Sequence, residues 1–338
     1  MTPKSILDAL PLPALIIRRD ERIEAANAAA KALLGPTIEG RHFITALRQP
    51  GVLDAVEAVM RDAQARTAGY LTNDGEQDTT FKVAVGPVDE GAVLVAFEDE
   101  TPLAQSNAMR RDFVANVSHE LKTPLTALTS FIETLKGPAR SDEAARARFL
   151  DVMAAEAERM NRLIADLLSL SRVEAEERVR PKDSVDLVPL VRSVVLGLSR
   201  LTEDAGITVD IIAPEAAPVR GDADQLRQVL VNLLENAIKY SGSDARVSIT
   251  LTGPAFEARL RGDGVRLSVR DTGPGLDPQH LPRLTERFYR VDSHRSREKG
   301  GTGLGLAIVK HIVNRHRGRI HLMSEPGQGL EVRIVLPC

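Results

Sequence analysis

The stretch Phe113-Val-Ala-Asn-Val-Ser-His-Glu-Leu-Lys-Thr-Pro-Leu-Thr126 decides how the middle of the chain folds. Around it Val114, Val117, Leu121, Leu125, Leu128, Ile132 and Leu135 recur at steps of three and four, the spacing that lays one apolar stripe along a helix. At about 100° per residue, His119 falls roughly opposite Val117, on a face shared with Lys122, Thr123 and Thr126. An exposed histidine is by default only a solvated side chain, and the neighbours of His119 alter that default. Glu120 is a carboxylate able to orient the imidazole or take its proton, which a nucleophilic histidine requires. Thr123 stands one turn on. Pro124 has no N–H and its ring crowds the carbonyl of Glu120, so the helix is expected to kink or loosen just below the histidine.

The first helix stops at Lys136-Gly137-Pro138, where glycine followed by proline ends a helix. A second helix follows with Leu150, Met153, Ala157, Met160, Ile164 and Leu167 on one stripe. Two antiparallel helices with one apolar stripe each cannot close a core alone. Pairing two such hairpins gives a four-helix bundle, so a homodimer is expected.

Beyond the polar stretch from Glu174 to Asp186 lies a third region. Asp222 or Asp224 caps a helix that buries Leu226, Val229, Leu230, Leu233, Leu234 and Ala237, while Asn232, Asn236 and Lys239 share its other side. Two amides and an ammonium on one face suit a hydrated Mg²⁺ and phosphate oxygens, since Mg²⁺ prefers oxygen ligands and keeps several waters. The alternating strand Val265-Arg-Leu-Ser-Val-Arg-Asp271 ends in an acid and runs into Thr-Gly273-Pro-Gly275. A carboxylate there can accept a hydrogen bond from an exocyclic amine, and the glycines let backbone approach a flat ring. Gly300-Gly301-Thr302-Gly303-Leu304-Gly305-Leu306 opens a helix from Ala307 to His316, and a glycine-rich turn there offers free N–H groups to phosphate. It is not a Walker A box, because no Gly-Lys-Ser/Thr follows.

His119-Glu-Leu-Lys-Thr-Pro124 resembles the H-box of two-component sensor histidine kinases. Asn232-Leu-Leu-Glu-Asn236-Ala-Ile-Lys239-Tyr240, Asp271-Thr-Gly-Pro-Gly275, Glu286-Arg-Phe288-Tyr289-Arg290 and Gly301-Thr-Gly-Leu-Gly305 resemble, in order, the N, G1, F and G2 boxes of that family. The resemblance spans about Arg111 to Leu336. It implies that His119 takes the γ-phosphate of ATP, that Glu120 is the base, and that Thr123 positions water for dephosphorylating the partner. It further implies that Asn232 and Asn236 serve Mg²⁺ and the phosphates, Lys239 the phosphates, Tyr240 the adenine region and Asp271 the adenine amine. Gly273, Gly275, Gly301, Thr302, Gly303, Leu304 and Gly305 would complete the nucleotide contacts. The segment from Asp277 to Gly300, with Phe288, would be a mobile lid.

By the same resemblance the expected fold is α+β and multidomain, with a dimeric helical bundle and an α/β sandwich of the histidine-kinase, gyrase and Hsp90 type. The expected partner is a response regulator on a separate chain, with regulator phosphatase activity as the alternative emphasis and an inert scaffold as the non-enzyme alternative. Asp112-Phe-Val-Ala-Asn-Val-Ser118, Asp166-Leu-Leu-Ser-Leu-Ser-Arg172 and Phe288-Tyr-Arg-Val-Asp292 are most similar to the phosphate-regulon sensor kinases. That subtype implies a role in phosphate starvation, with another stimulus as the alternative.

Ahead of the H-box, 1–98 is expected to be a small α/β sensor module resembling a PAS domain. Its strands are placed at Pro13–Ile17, Arg22–Ala25, Thr80–Val85 and Ala92–Phe97, its helices after a cap at Asn27 and over Val52–Ala65. Turns fall at Asp20-Glu21, Gly86-Pro87 and Asp89-Glu90-Gly91. Residues 99–178 are expected to hold a connecting helix and the hairpin, and 184–338 the ATP-binding domain.

The 338 residues carry a formal net charge of −3, with basic and acidic residues interspersed, so nucleic acid is not an expected partner. The single cysteine, Cys338, forms no intrachain disulfide or thiolate cluster and favours a reducing compartment. The apolar run Ala9–Ile17 holds two prolines and is too short to span a bilayer. A cytoplasmic location is expected. Most members of the family carry a transmembrane segment, and a membrane signal would reach this chain through an accessory membrane transport or regulatory protein.

Overall fold

A computed structural model of the chain describes residues 3–73, 78–88, 91–137, 139–140, 142–177, 179–242, 244–258, 260–291 and 301–338. Asp89, Glu90, Pro138, Asp292 and the stretch of the expected lid from 292 to Gly300 lie outside the described residues. The chain divides into two compact units, Met1–Ala115 and Asn116–Cys338.

The first unit is built on a five-stranded antiparallel sheet of order β2-β1-β5-β4-β3. Its strands are β1 (Ala14–Ile17), β2 (Ile23–Ala26), β3 (Arg66–Asn73), β4 (Asp78–Pro87) and β5 (Val93–Asp99). All four residues of β1 are buried, because both sheet faces are covered there. Leu15 and Ile17 enter the main core with Phe43, Val56 and Phe97, while Ala14 and Ile16 join a smaller cluster with Leu7 of helix α1 (Pro3–Asp8). Asn27 caps helix α2 (Ala28–Leu34), accepting from the Ala30 N–H at 2.9 Å. The same Oδ1 accepts from Ala14, and its amide donates to the carbonyls of Leu7 and Leu12, which fixes the N-terminal segment to the sheet. Helix α3 is Phe43–Leu47, and helix α4, Pro50–Asp62, ends earlier than Ala65 because Ala63 turns left-handed. The following strand β3 has no counterpart in the sequence reading. Its inward side is Arg66, Ala68, Tyr70 and Thr72 while Leu71 points out, 65% exposed, so it lacks the apolar alternation that marks a strand.

Helix α5 runs from Thr101 to Lys136 without interruption at Pro124, which is buried. Helix α6, Glu143–Glu176, is capped by Asp142, which accepts from the Ala145 N–H at 2.9 Å. Phe131 and Phe149 stack at 5.3 Å between the two helices. On α6 the buried residues are Leu163, Leu170 and Val173, not the predicted stripe; this face meets the helix α10 (Gly305–Arg315) of the same unit. Leu125, Ile132, Leu150 and Ile164, all predicted apolar-stripe positions, are exposed.

The rest of the second unit is a five-stranded sheet of order β11-β12-β10-β9-β7 beside a two-stranded β6-β8 pair. The short pair is β6 (Ser184–Asp186) and β8 (Pro218–Arg220), and helices α7 (Leu187–Gly197) and α8 (Ser199–Asp204) follow β6. The large sheet comprises β7 (Thr208–Ile212), β9 (Arg246–Glu257), β10 (Gly262–Asp271), β11 (Arg319–Ser324) and β12 (Leu330–Pro337). Among the described residues of this sheet, only β7 and β9 pair in parallel. Helix α9 (Ala223–Ser241) is capped by Asp222, the first of the two predicted caps, and buries Leu226, Val229, Leu230, Leu233, Leu234 and Ala237. Helix α10 packs beside α9 with Ala307, Ile308 and Ile312 buried. The free side of α9 and the loops between these helices and the strands are thereby left open beside the sheet.

Candidate functional site

Asp271 is the last residue of β10 and is 7% exposed. Its Oδ1 accepts the N–H of Gly273 at 2.8 Å and that of Leu330 at 3.3 Å. Burial pushes its carboxyl up and these N–H bonds offset part of that cost. Gly275 follows at φ +66°, and a Cβ there would overlap the carbonyl of Glu325, so the turn after Asp271 closes only with glycine.

Asn232, Asn236 and Lys239 project from one side of α9. The Asn232 amide donates to the Gly305 carbonyl at 3.3 Å, which leaves its side-chain oxygen for another partner. A Cβ on Gly305 would sit 3.7 Å from both Asn232 and Asn236, so the start of α10 lies directly against the two amides. Lys239 Nζ lies 5.7 Å from the Tyr240 ring centre. In the glycine-rich turn, Gly303 has φ +73° and a Cβ there would come within 2.9 Å of Phe288 Cα. The Phe288 N–H donates to the Gly303 carbonyl at 2.9 Å, tying the F-box segment to the turn.

These elements enclose one cavity of about 1010 Å³. Asn232, Asn236, Lys239, Tyr240, Asp271, Gly275, Gly301, Thr302, Gly303 and Gly305 are among its walls. Gly273, Phe288 and Leu304 stand behind them: Gly273 braces Asp271, Phe288 braces the turn, and Leu304 is fully buried at the start of α10. Two amide oxygens cannot complete an octahedral shell, so the donor set fits a Mg²⁺ that arrives with phosphate oxygens and water.

His119, Glu120 and Thr123 are not among the walls of the cavity. His119 and Thr123 are exposed, and Glu120 is half-buried. The Thr123 hydroxyl donates to the His119 carbonyl at 3.1 Å. Glu120 Oε2 lies 3.1 Å from Arg159 of α6 and 3.8 Å from Arg290.

Residues 109–176 match the model of the His Kinase A (phospho-acceptor) domain, and residues 221–338 that of the histidine kinase-, DNA gyrase B-, and HSP90-like ATPase. The chain belongs to the two-component sensor histidine kinases. Among curated relatives, the chain is 41% identical over 236 residues to the phosphate regulon sensor protein PhoR of Pseudomonas aeruginosa, covering 70% of this chain and 52% of that one. It is 39% identical over 249 residues to the sensor-like histidine kinase SenX3 of Mycolicibacterium smegmatis, covering 74% and 63%. The chain thus spans about half to two thirds of these two relatives. A solved structure titled histidine kinase ThkA in complex with response regulator protein TrrA matches 99% of this chain and 98% of that one, at 21% identity and TM-score 0.54, a likeness of fold. Among the described residues, no helix is long and apolar enough to cross a membrane.

Several further walls of the cavity were not singled out as site residues in the sequence. Asp166 and Arg162 come from α6, Glu235 from α9 between the two asparagines, and Arg290 from the F box. Asp166, Glu235 and Arg290 stand inside motifs quoted for their resemblance, which was the only signal available; their side chains reach the cavity through packing that spacing does not encode.

Proposed function

We propose that this chain is an ATP-dependent protein histidine kinase that phosphorylates itself on His119 and passes the phosphate to an aspartate of a separate response regulator. The observation that carries it is the convergence of Asn232, Asn236, Lys239, Asp271 and the Gly301–Gly305 turn on one cavity, in a unit that also exposes His119. Asp271 would accept from the adenine amine beside Tyr240, and the start of α10 would hold the phosphates with Lys239. Asn232 and Asn236 would hold Mg²⁺, which neutralises phosphate charge when bound.

A ring nitrogen of His119 attacks the γ-phosphorus, the bond to the β,γ-bridging oxygen breaks, and ADP leaves with that electron pair. Glu120 takes or holds the proton on the other ring nitrogen. Thr123, one turn away, would position water to release phosphate from the regulator.

Residues 1–98 are proposed as a PAS-like sensor module, supported by the β2-β1-β5-β4-β3 order. Residues 99–178 would carry a connecting helix and a hairpin that pairs with a second copy, supported by exposed Leu125, Ile132, Leu150 and Ile164; 184–338 would be the ATP-binding domain. A phosphate-supply signal draws on the likeness to the Pseudomonas aeruginosa sensor. The test is incubation with γ-labelled ATP and Mg²⁺. The expected result is acid-labile label on the wild type and none on His119→Gln; equal labelling of both would sink the proposal. Phosphotransfer profiling against a set of regulators then tests the phosphate signal, and preferred transfer to an unrelated regulator counts against it.

A further inference from the structure

Thr302 supplies the polar side chain of the glycine-rich turn, and its hydroxyl donates to Oδ2 of Asp166 at 2.7 Å. Asp166 belongs to hairpin helix α6, not to the sheet or its helices. The same Thr302 oxygen accepts the N–H of Leu304 at 3.3 Å, so the contact reaches the backbone at the start of α10. Both residues are walls of the cavity. A carboxylate of the hairpin thus occupies a helix-start turn that electrostatics reserves for an anion.

The surroundings make that anion costly. Burial pushes the Asp166 carboxyl up, and the Thr302 bond and the charges of Arg162 and Lys239 offset only part of this. Glu235 on α9 is pushed up by desolvation and by the Asp166 charge, with Lys239 and Arg162 again opposing. Lys239 is therefore already engaged in balancing two carboxylates. Incoming phosphates would meet both negative charges across a cavity shielded from bulk water, where like charges are screened weakly.

We propose that Asp166 is an internal competitor for the phosphate turn: with the hairpin docked, its carboxylate takes the place of a nucleotide phosphate at Thr302, and ATP binds by displacing it. This rests on the cavity being the ATP site. Binding of nucleotide and release of α6 from the turn are then linked, and by reciprocity each favours the other. Release need not detach the whole helix. Near its C-terminal end Glu177 meets His311 at 3.1 Å, and the Arg315 guanidinium bonds the Glu176 carboxylate at 2.9 Å, contacts that do not involve the Thr302 turn.

The test is calorimetric titration of the whole chain with the non-hydrolysable imido analogue of ATP plus Mg²⁺, and separately with adenosine. Asp166→Asn and Asp166→Ala should each bind the analogue about ten-fold more tightly than wild type, with little change in that gain as salt rises, because the charges meet in a shielded cavity. Adenosine, which has no phosphate, should bind all three alike. The isosteric Asn variant keeps an acceptor for Thr302, so equal affinity of Asp166→Asn and wild type overturns the competition. Weaker binding by Asp166→Ala would mean that Asp166 merely supports the turn, and overturns it too. A wild type that binds neither the analogue nor adenosine overturns the ATP reading of the cavity and this inference with it, an outcome distinct from the other two.

Discussion

The Glu120 carboxylate is paired with Arg159 of the neighbouring helix, Oε2 to Nη2 at 3.1 Å, and both side chains are largely shielded from water. Arg290 stands 3.8 Å from the same oxygen. A carboxylate oxygen held by two guanidiniums is less available to accept a hydrogen bond from the imidazole of His119. Arg159→Ala should therefore free Glu120 to serve His119 and raise the initial rate of label uptake from γ-labelled ATP by about three- to ten-fold, the scale of one lost charge-assisted bond. In a Glu120→Gln background the same substitution should change little, and the double-mutant cycle measures that coupling. A fall in rate for Arg159→Ala alone would mean that the arginine orients the base.

Asp271 tests the adenine end of the cavity. Its Oδ1 already serves two backbone N–H groups, and Asp271→Asn retains an oxygen for them. What changes is the other end of the side chain, which turns from an acceptor into a donor facing the adenine amine. Losing a hydrogen bond that involves a charged group and facing two donors should weaken ATP binding about 100-fold. Thermal unfolding should move by only a few degrees. Nucleotide titration and calorimetry on the same preparation separate the two effects, and an unchanged ATP affinity would remove Asp271 from the binding set.

The parts of the chain legible in sequence are those where local chemistry and tertiary packing agree. The Asn27 and Asp222 caps, the Leu226–Ala237 face of α9 and the strand ending at Asp271 each follow from residue spacing, and each occurs where expected. Strand β3 was missed because Arg66 and Thr72 stand at its inward positions, so only pairing with β4 makes it a strand. On α6, spacing identifies a stripe but cannot say which of two faces meets a neighbour: Leu163, Leu170 and Val173 meet α10 while Leu150 and Ile164 stay exposed. The Asp166–Thr302 bond joins residues 136 positions apart, and no local pattern announces it.

Gly275 carries a prediction about stability. At φ +66° an L residue is strained, and its Cβ would collide with the Glu325 backbone carbonyl, which cannot turn aside as a flexible side chain could. Gly275→Ala should cost the ATP-binding part of the chain about 3 kcal/mol, combining left-handed strain with overpacking. Denaturant unfolding measures this as a lower midpoint at unchanged slope. A loss below about 0.5 kcal/mol, the range of ordinary surface substitutions, would mean that the turn relaxes.

His316 makes stability depend on pH with a definite sign. The ring is fully buried; Nε2 accepts the Asp222 N–H at 3.0 Å, so Nδ1 carries the proton and donates to the Ile312 carbonyl at 2.7 Å. Burial lowers its pKa below the ordinary 6.5, with Arg315 and Arg180 acting in the same direction and the Ile312 bond and Asp222 opposing. As pH falls through 6.5 the unfolded chain binds a proton that the folded one refuses, so the contribution of His316 is intact above that value and is lost below it. Asp166, Glu235 and Asp271, all pushed up, act in the opposite sense, so the wild-type profile alone does not isolate the histidine. His316→Asn keeps an acceptor for the Asp222 N–H without a titrating ring. The stability difference between wild type and this variant should shrink by about 1 kcal/mol between pH 7 and pH 5.5, followed by chemical denaturation at each pH. A difference constant across that window would mean that the buried ring accepts its proton as readily as in the unfolded chain.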